Sequence, residues 1–382
     1  MNFTFLTPNE MIIRRGAAAQ IGEVCGKYAT NVCIFRYGKH YEQSGTADKI
    51  EAALTRAGVG FSVFGRISSE PSPALVNEAA AFMRQNKCDG ALAIGGGSVI
   101  DAAKAACALS PNGEDIMDYV EGFSPKPFAA RPLPLVALPT TAGTGSECTK
   151  NSVITEKGKF KNSVRDDHML PVAAVIDAEL TIHVPAGVTA TSGADCLCQL
   201  VECYVSRLSN PMCDALSLHF AAIGYTALKQ AFSDGHNMDA RERMAICASV
   251  SGIGISNAGL GAAHGLASGL GALTPLSHGF ICGVVQPYII RFNCKRGVTK
   301  YADITRAITR KSYGSDEAAA YALAEITDEL NAYIGLPANF KGTGLKKEDI
   351  PAIAKASMGS SIKKNPVDMS VEECEELLDD MI

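Results

Sequence analysis

Asp195 and Gln199 stand four residues apart, a spacing that puts two side chains on one face of a helix. His264 and His278 lie farther along, within residues 244–290, a run of 47 positions with no Asp, Glu, Lys or Arg in a chain that is 20% charged overall. Burying an imidazole in charge-free surroundings is unfavourable unless its nitrogens find partners. One carboxylate, two imidazoles and one amide from separate parts of the chain make a donor set suited to a catalytic divalent cation with a position left open. Taken singly, each histidine reads more simply as a packed core residue; only the set of four points to a cation. Cys198, next to Gln199, adds a thiol that reads as a buried structural group. His168 and His183 read as surface or packing residues.

A second kind of chemistry is written at Gly95-Gly96-Gly97-Ser98, which follows the apolar run Ala91-Leu92-Ala93-Ile94 and leads into helical spacing near Val99. Glycines let a backbone approach a ligand closely, and the free N–H groups of a helix start hold a pyrophosphate. Ser98 with Asp101 three residues on has the pattern of an N-cap. As a bare motif the loop is equally a tight strand-to-helix turn. A second stretch strengthens it. Residues 139–147 bring Thr140, Thr141, Thr144 and Ser146 together with two glycines, and hydroxyls and amides suit phosphate, ribose and carboxamide groups.

These residues need elements to position them. Through residue 185, β-rich runs at 31–37, 60–64 and 90–94 alternate with helical patterns at 47–57, 74–85 and 99–109, followed by apolar runs at 133–138 and 173–176. That alternation predicts βαβ units and a parallel sheet covered by helices. Beyond Pro185 the spacing is helical, as at 195–206, 211–232 and 317–334. The expectation is an α/β domain over 1–185 and a helical domain over 186–382, with the site in the cleft between them. A net charge of −5 offers no basic field for nucleic acid. Thirteen scattered cysteines form no disulfide framework, and no secretory pattern opens the chain, so a reduced, cytoplasmic protein is expected. The charge-free run carries nine glycines, five serines and two histidines, a polar load that argues against a membrane span.

The pattern Asp195-x3-Gln199-x2-Glu202, the segments Gly261-Ala262-Ala263-His264 and Ser277-His278-Gly279, the glycine loop and residues 139–147 together resemble the iron-dependent (group III) alcohol dehydrogenase family over almost the whole chain. The resemblance implies an N-terminal dinucleotide-binding α/β domain with a Rossmann-like parallel sheet and an all-α C-terminal domain, a dehydroquinate synthase-like architecture. It puts Asp195, His264 and His278 on metal-ligand positions and Gly95, Gly96, Gly97, Ser98, Thr140, Thr141, Thr144 and Lys161 on cofactor positions. Gln199 stands where the family has a histidine ligand, and Ser268 where many members have a histidine near the nicotinamide. Fe(II) and Zn(II) both suit such a set.

The segment Phe35-Arg36-Tyr37-Gly38-Lys39 has glycine where NAD-preferring members usually carry Asp, so NADP(H) is expected over NAD(H), with Arg36 and Lys39 available to a 2′-phosphate. The implied protein is a homodimeric oxidoreductase interconverting a small primary alcohol and its aldehyde. Two alternatives stay open: a metal-independent reductase resembling maleylacetate reductases, acting on an acidic or functionalised carbonyl, and a non-catalytic nucleotide-binding paralogue.

Overall fold

The computed structural model describes residues 2–37 and 45–382. The strands are β1 (Glu10–Ile13), β2 (Asn31–Tyr37), β3 (Gly60–Ile67), β4 (Gly90–Gly95), β5 (Leu135–Pro139), the antiparallel pair β6 (Asn151–Glu156) and β7 (Phe160–Arg165), and β8 (Ala173–Ile176). Six of them form one parallel sheet in the order β1-β8-β5-β4-β2-β3. Helices α1 (Ile21–Gly26), α2 (Thr46–Arg56), α3 (Pro73–Gln85) and α4 (Gly97–Leu109) cover it. Strand β4 is buried on both faces, so it reads as a continuous apolar run and not as an alternation. Leu92 and Ile94 pack with Ile21, Ile50 and Leu54, whereas Ala91 and Ala93 pack with Met83, Val99 and Ile100.

The chain runs from β2 outward to β3 and then crosses back to β4 on the other side of β2. That reversal opens a crevice beyond the carboxyl ends of β2 and β4, where open α/β sheets bind their ligands. The glycine loop lies there.

The helical domain comprises α5 (Ala186–Val205), α6 (Pro211–Ser233), α7 (Met238–Asn257), α8 (Ala262–Leu273), α9 (His278–Cys294), α10 (Tyr301–Thr309), α11 (Asp316–Tyr333), α12 (Ile350–Ser357) and α13 (Val371–Asp379). Helix α5 is its axis: every residue from Gly193 through Val205 is buried. A helix apolar or buried all round sits in the middle of a bundle. The charge-free run forms the end of α7, all of α8 and most of α9; α7 and α9 pack directly against α5, and α8 packs against α9. Among the described residues no single helix is long and apolar enough to cross a membrane; α7 and α8 pass that test only as a pair, bent by 98°.

Three local expectations change. Helix α4 begins at Gly97, with Gly96 as an N-cap that makes no side-chain bond, so Ser98 sits in the first turn and caps nothing. Asp101 is drawn inward instead, accepting from Val153 N at 2.9 Å, because a strand edge lies beneath this turn. Helix α5 starts at Ala186, well before Asp195, since Pro185 ends the preceding segment and small residues carry the first turns.

Candidate active site

Asp195 sits in the middle of α5 with a 2% exposed side chain. His264 comes from the first turn of α8, and its Nε2 lies 3.2 Å from Asp195 Oδ1. His278 is the first residue of α9, and its Nε2 lies 3.7 Å from the same oxygen. Gly279 allows that approach: a Cβ there would stand 2.2 Å from the carbonyl oxygen of Thr191, so any side chain would push α9 off α5. Behind His264, Glu202 Oε2 lies 2.6 Å from Nδ1, and the same carboxylate accepts from Gly261 N and Ala263 N. Donation of the Nδ1–H to Glu202 turns Nε2 toward Asp195, the arrangement that orients a metal-ligating histidine.

The electrostatics agree with a cation at this point. Burial works to raise the Asp195 carboxyl, but His278 and His264 outweigh it and hold the group below the usual carboxylate range. Burial and the facing Lys161 push His278 down to about 4, so its ring is neutral near pH 7 and its nitrogen available. For His264, Cys282, Glu202 and Asp195 overcome burial and hold the pKa well above that of free imidazole, so without an ion Nε2 keeps a proton that a bound cation would displace.

Cys282, one turn after His278 on α9, stands 3.6 Å from His264 Nε2 and 3.7 Å from His278 Nε2. The pattern His278-x3-Cys282 is visible in the sequence, but a cysteine inside an apolar run reads as core. Cys198 approaches the other side of the His264 ring, with Sγ 3.8 Å from Nδ1, and burial pushes its thiol up to about 12. Gln199 is buried beside Asp195, and its Oε1 lies 2.6 Å from Ser251 Oγ. Ser268 donates to the His264 carbonyl at 2.9 Å, one turn back along α8. His168 and His183 are exposed.

The two loops foreseen as cofactor-binding meet. A Cβ on Gly96 would stand 3.0 Å from Thr141 Oγ1 and one on Gly97 2.6 Å from Thr144 Oγ1, so threonine hydroxyls lie directly against the glycine loop. Gly95 is buried, whereas Gly96, Gly97, Ser98, Thr140, Thr141 and Thr144 are only partly covered. Ser146 lies deeper, 5% exposed, 3.2 Å from Thr144 Oγ1. Lys161, on β7, is ion-paired with Glu70, which also accepts from Thr155 Oγ1 at 2.8 Å. Its ammonium lies 3.6 Å from where a Cβ on Gly271 of α8 would stand, so the β6–β7 hairpin reaches across to the helical domain. Gly38 and Lys39 lie outside the described residues; Arg36 runs alongside Gly65 of β3.

Comparison with known proteins closes the question of ancestry. Residues 8–178 match the family model for iron-containing alcohol dehydrogenase, and residues 189–382 match its C-terminal counterpart. This chain belongs to the iron-containing alcohol dehydrogenase family. Among its relatives, the lactaldehyde reductase of Escherichia coli (strain K12) is 34% identical over 370 residues, covering 95% of each chain. The NAD-dependent methanol dehydrogenase of Bacillus methanolicus is 31% identical over 355 residues, covering 92% of each. A solved 1,3-propanediol oxidoreductase superposes with a TM-score of 0.94 at 29% identity over 100% of both chains. As an iron-containing alcohol dehydrogenase, this protein is an oxidoreductase of the alcohol and aldehyde class, and nothing in these comparisons supports a maleylacetate-type or non-catalytic reading.

Proposed function

We propose that this family member interconverts a small primary alcohol and its aldehyde at a centre where Asp195, His264 and His278 hold Fe(II) or Zn(II). The observation that carries the proposal is the convergence of two imidazole nitrogens, 3.2 and 3.7 Å away, on one oxygen of Asp195, whose side chain is 2% exposed. Such a set is a two-histidine, one-carboxylate donor group. When bound, the cation supplies polarisation of the substrate oxygen and the nicotinamide supplies the hydride.

The chain's own residues do the positioning. Glu202 holds the orientation of His264, and Asp195 would balance the ion's charge from a buried position. Backbone N–H groups at Gly97 and Ser98 face a pyrophosphate, with Gly95 and Gly96 giving it room and Thr140, Thr141 and Thr144 adding hydroxyls. Ser146 supports that loop from below. Lys161, held by Glu70, lies on the His278 side of the cleft, where the reacting end of the cofactor belongs. Gln199 lies at the corner beside Asp195, where its Oε1 accepts from Ser251, and small residues of α8 favour a compact substrate. The test is removal of metal with a chelator, add-back of Fe(II) or Zn(II), and turnover against a panel of short aldehydes. Recovery only on add-back is expected; full activity of the stripped enzyme would remove the cation from the account.

NADP(H) is proposed over NAD(H) because Gly38 has no carboxylate and Arg36 and Lys39 are nearby in sequence, although the methanol dehydrogenase relative is named for NAD. Gly38→Asp is expected to shift the kcat/KM ratio toward NADH by about tenfold or more, by repelling the 2′-phosphate and accepting from the ribose hydroxyl. An unchanged ratio would place the specificity elsewhere. Working units of 1–185 and 186–382, a homodimer, and a cytoplasmic setting complete the proposal. The last draws on thirteen buried, unbridged cysteines.

A further inference from the structure

We propose that Cys282 is the fourth protein ligand of the cation, taking the place left open by Gln199 and making the centre an Asp-His-His-Cys site with a preference for zinc. The inference rests on the metal reading of Asp195, His264 and His278 and extends it. Asp195 Oδ1, His264 Nε2, His278 Nε2 and Cys282 Sγ all lie within 4.8 Å of one another. The sulfur is 3.6 Å from His264 Nε2 and 3.7 Å from His278 Nε2, and the oxygen is 3.2 and 3.7 Å from the same nitrogens. Around a tetrahedral zinc, bonds of about 2.3 Å to sulfur and about 2.0–2.1 Å to nitrogen or oxygen set neighbouring donor atoms roughly 3.3–3.6 Å apart. Four of the six donor–donor distances are already close to those values, and the substrate oxygen would enter as a fifth donor.

The helix geometry explains the substitution. Asp195 and position 199 are one turn apart on α5, and His278 and Cys282 are one turn apart on α9, the helix that crosses α5 at Gly279. A donor missing from one helix is supplied at the equivalent turn of the other. Gln199 does not compete for the place, because its amide is engaged with Ser251. Cys198 does not either. It faces Nδ1 of His264, the nitrogen already committed to Glu202. A divalent charge favours the thiolate, and the thiol proton leaves to solvent as the sulfur–metal bond forms. A thiolate beside two imidazoles favours Zn(II) over Fe(II) on ligand softness.

The test is spectroscopic. Chelator-treated enzyme loaded with one equivalent of Co(II) should show a near-ultraviolet thiolate-to-cobalt charge-transfer band. The band should vanish in Cys282→Ser and survive in Cys198→Ser. Zinc affinity of Cys282→Ser should fall by about 100-fold or more, beyond the ~10–100-fold that outer-shell changes produce. X-ray absorption of the zinc-loaded wild type needs no variant, and should show one sulfur at about 2.3 Å. Cobalt or zinc bound with no sulfur signature, or a band that persists in Cys282→Ser, overturns the Cys282 assignment while leaving the metal centre intact. No ion bound at all overturns the centre itself.

Discussion

At the scale of single residues, the site depends on which nitrogen of His264 faces inward, and Glu202 decides that. Its carboxylate bonds His264 Nδ1 at 2.6 Å and is itself held by Gly261 N and Ala263 N, so the ring cannot turn without breaking a buried network. Glu202→Gln should weaken metal binding by roughly 10–100-fold while leaving the reaction recoverable in excess metal. Equilibrium dialysis beside steady-state rates separates the two effects. A variant with unchanged affinity would show that Glu202 only packs. Much of this site was legible in the sequence, because Asp195, His264 and His278 are polar groups in places where polarity is unfavourable. Cys282 and Glu70 were not. A cysteine among apolar residues carries no mark of its role, and Glu70 meets Lys161 only through folding, across 91 residues of chain.

At the scale of elements, the cofactor loop is held from behind by a buried ion pair that neither motif nor periodicity announced. Lys104 of α4 is 1% exposed, lies 3.5 Å from Asp101, and donates to the carbonyls of Thr149 and Asn151, tying α4 to the start of β6. Burial lowers the Lys104 pKa and raises that of Asp101, yet each partner offsets the other's desolvation. Lys104→Met should destabilise the fold by about 3–5 kcal/mol, since Asp101 would remain buried and unpaired, and chemical denaturation should read that loss. The double variant Lys104→Met, Asp101→Leu should recover much of it. A second joint lies at the opposite end of the sheet. Desolvation raises the Asp89 carboxyl, but donors from the Thr30 hydroxyl and the backbone of Thr30 and Asn31 pull it below the ordinary value. A depressed folded pKa gives stability that is present above the unfolded value, about 3.9, and lost as pH falls through the folded one. The stability gap between wild type and Asp89→Asn should therefore be open at pH 6 and narrow toward pH 3; a gap independent of pH would show that charge is not its source.

At the scale of the whole molecule, the protein is two ways of presenting backbone and side chains to one cleft. A parallel sheet whose strand order reverses between β2 and β4 carries the glycine loop and helix start proposed for a dinucleotide; a helical domain centred on α5 brings a carboxylate and imidazoles from three helices together at the proposed cation site. The alternation of strand and helix in the first half and the helical spacing of the second were readable because most elements bury a periodic apolar face and others, such as β4, an unbroken apolar run. The short strand β1 and the β6–β7 hairpin were not, since four residues carry too little period and Lys161 lies on a hairpin whose faces are only partly covered. The account stands or falls on the cation that joins the two halves. Anomalous diffraction at the metal edge, from crystals of enzyme shown to be active, should give one peak within bonding distance of Asp195 Oδ1, His264 Nε2 and His278 Nε2. Fully active crystals with no peak among those three atoms would contradict it.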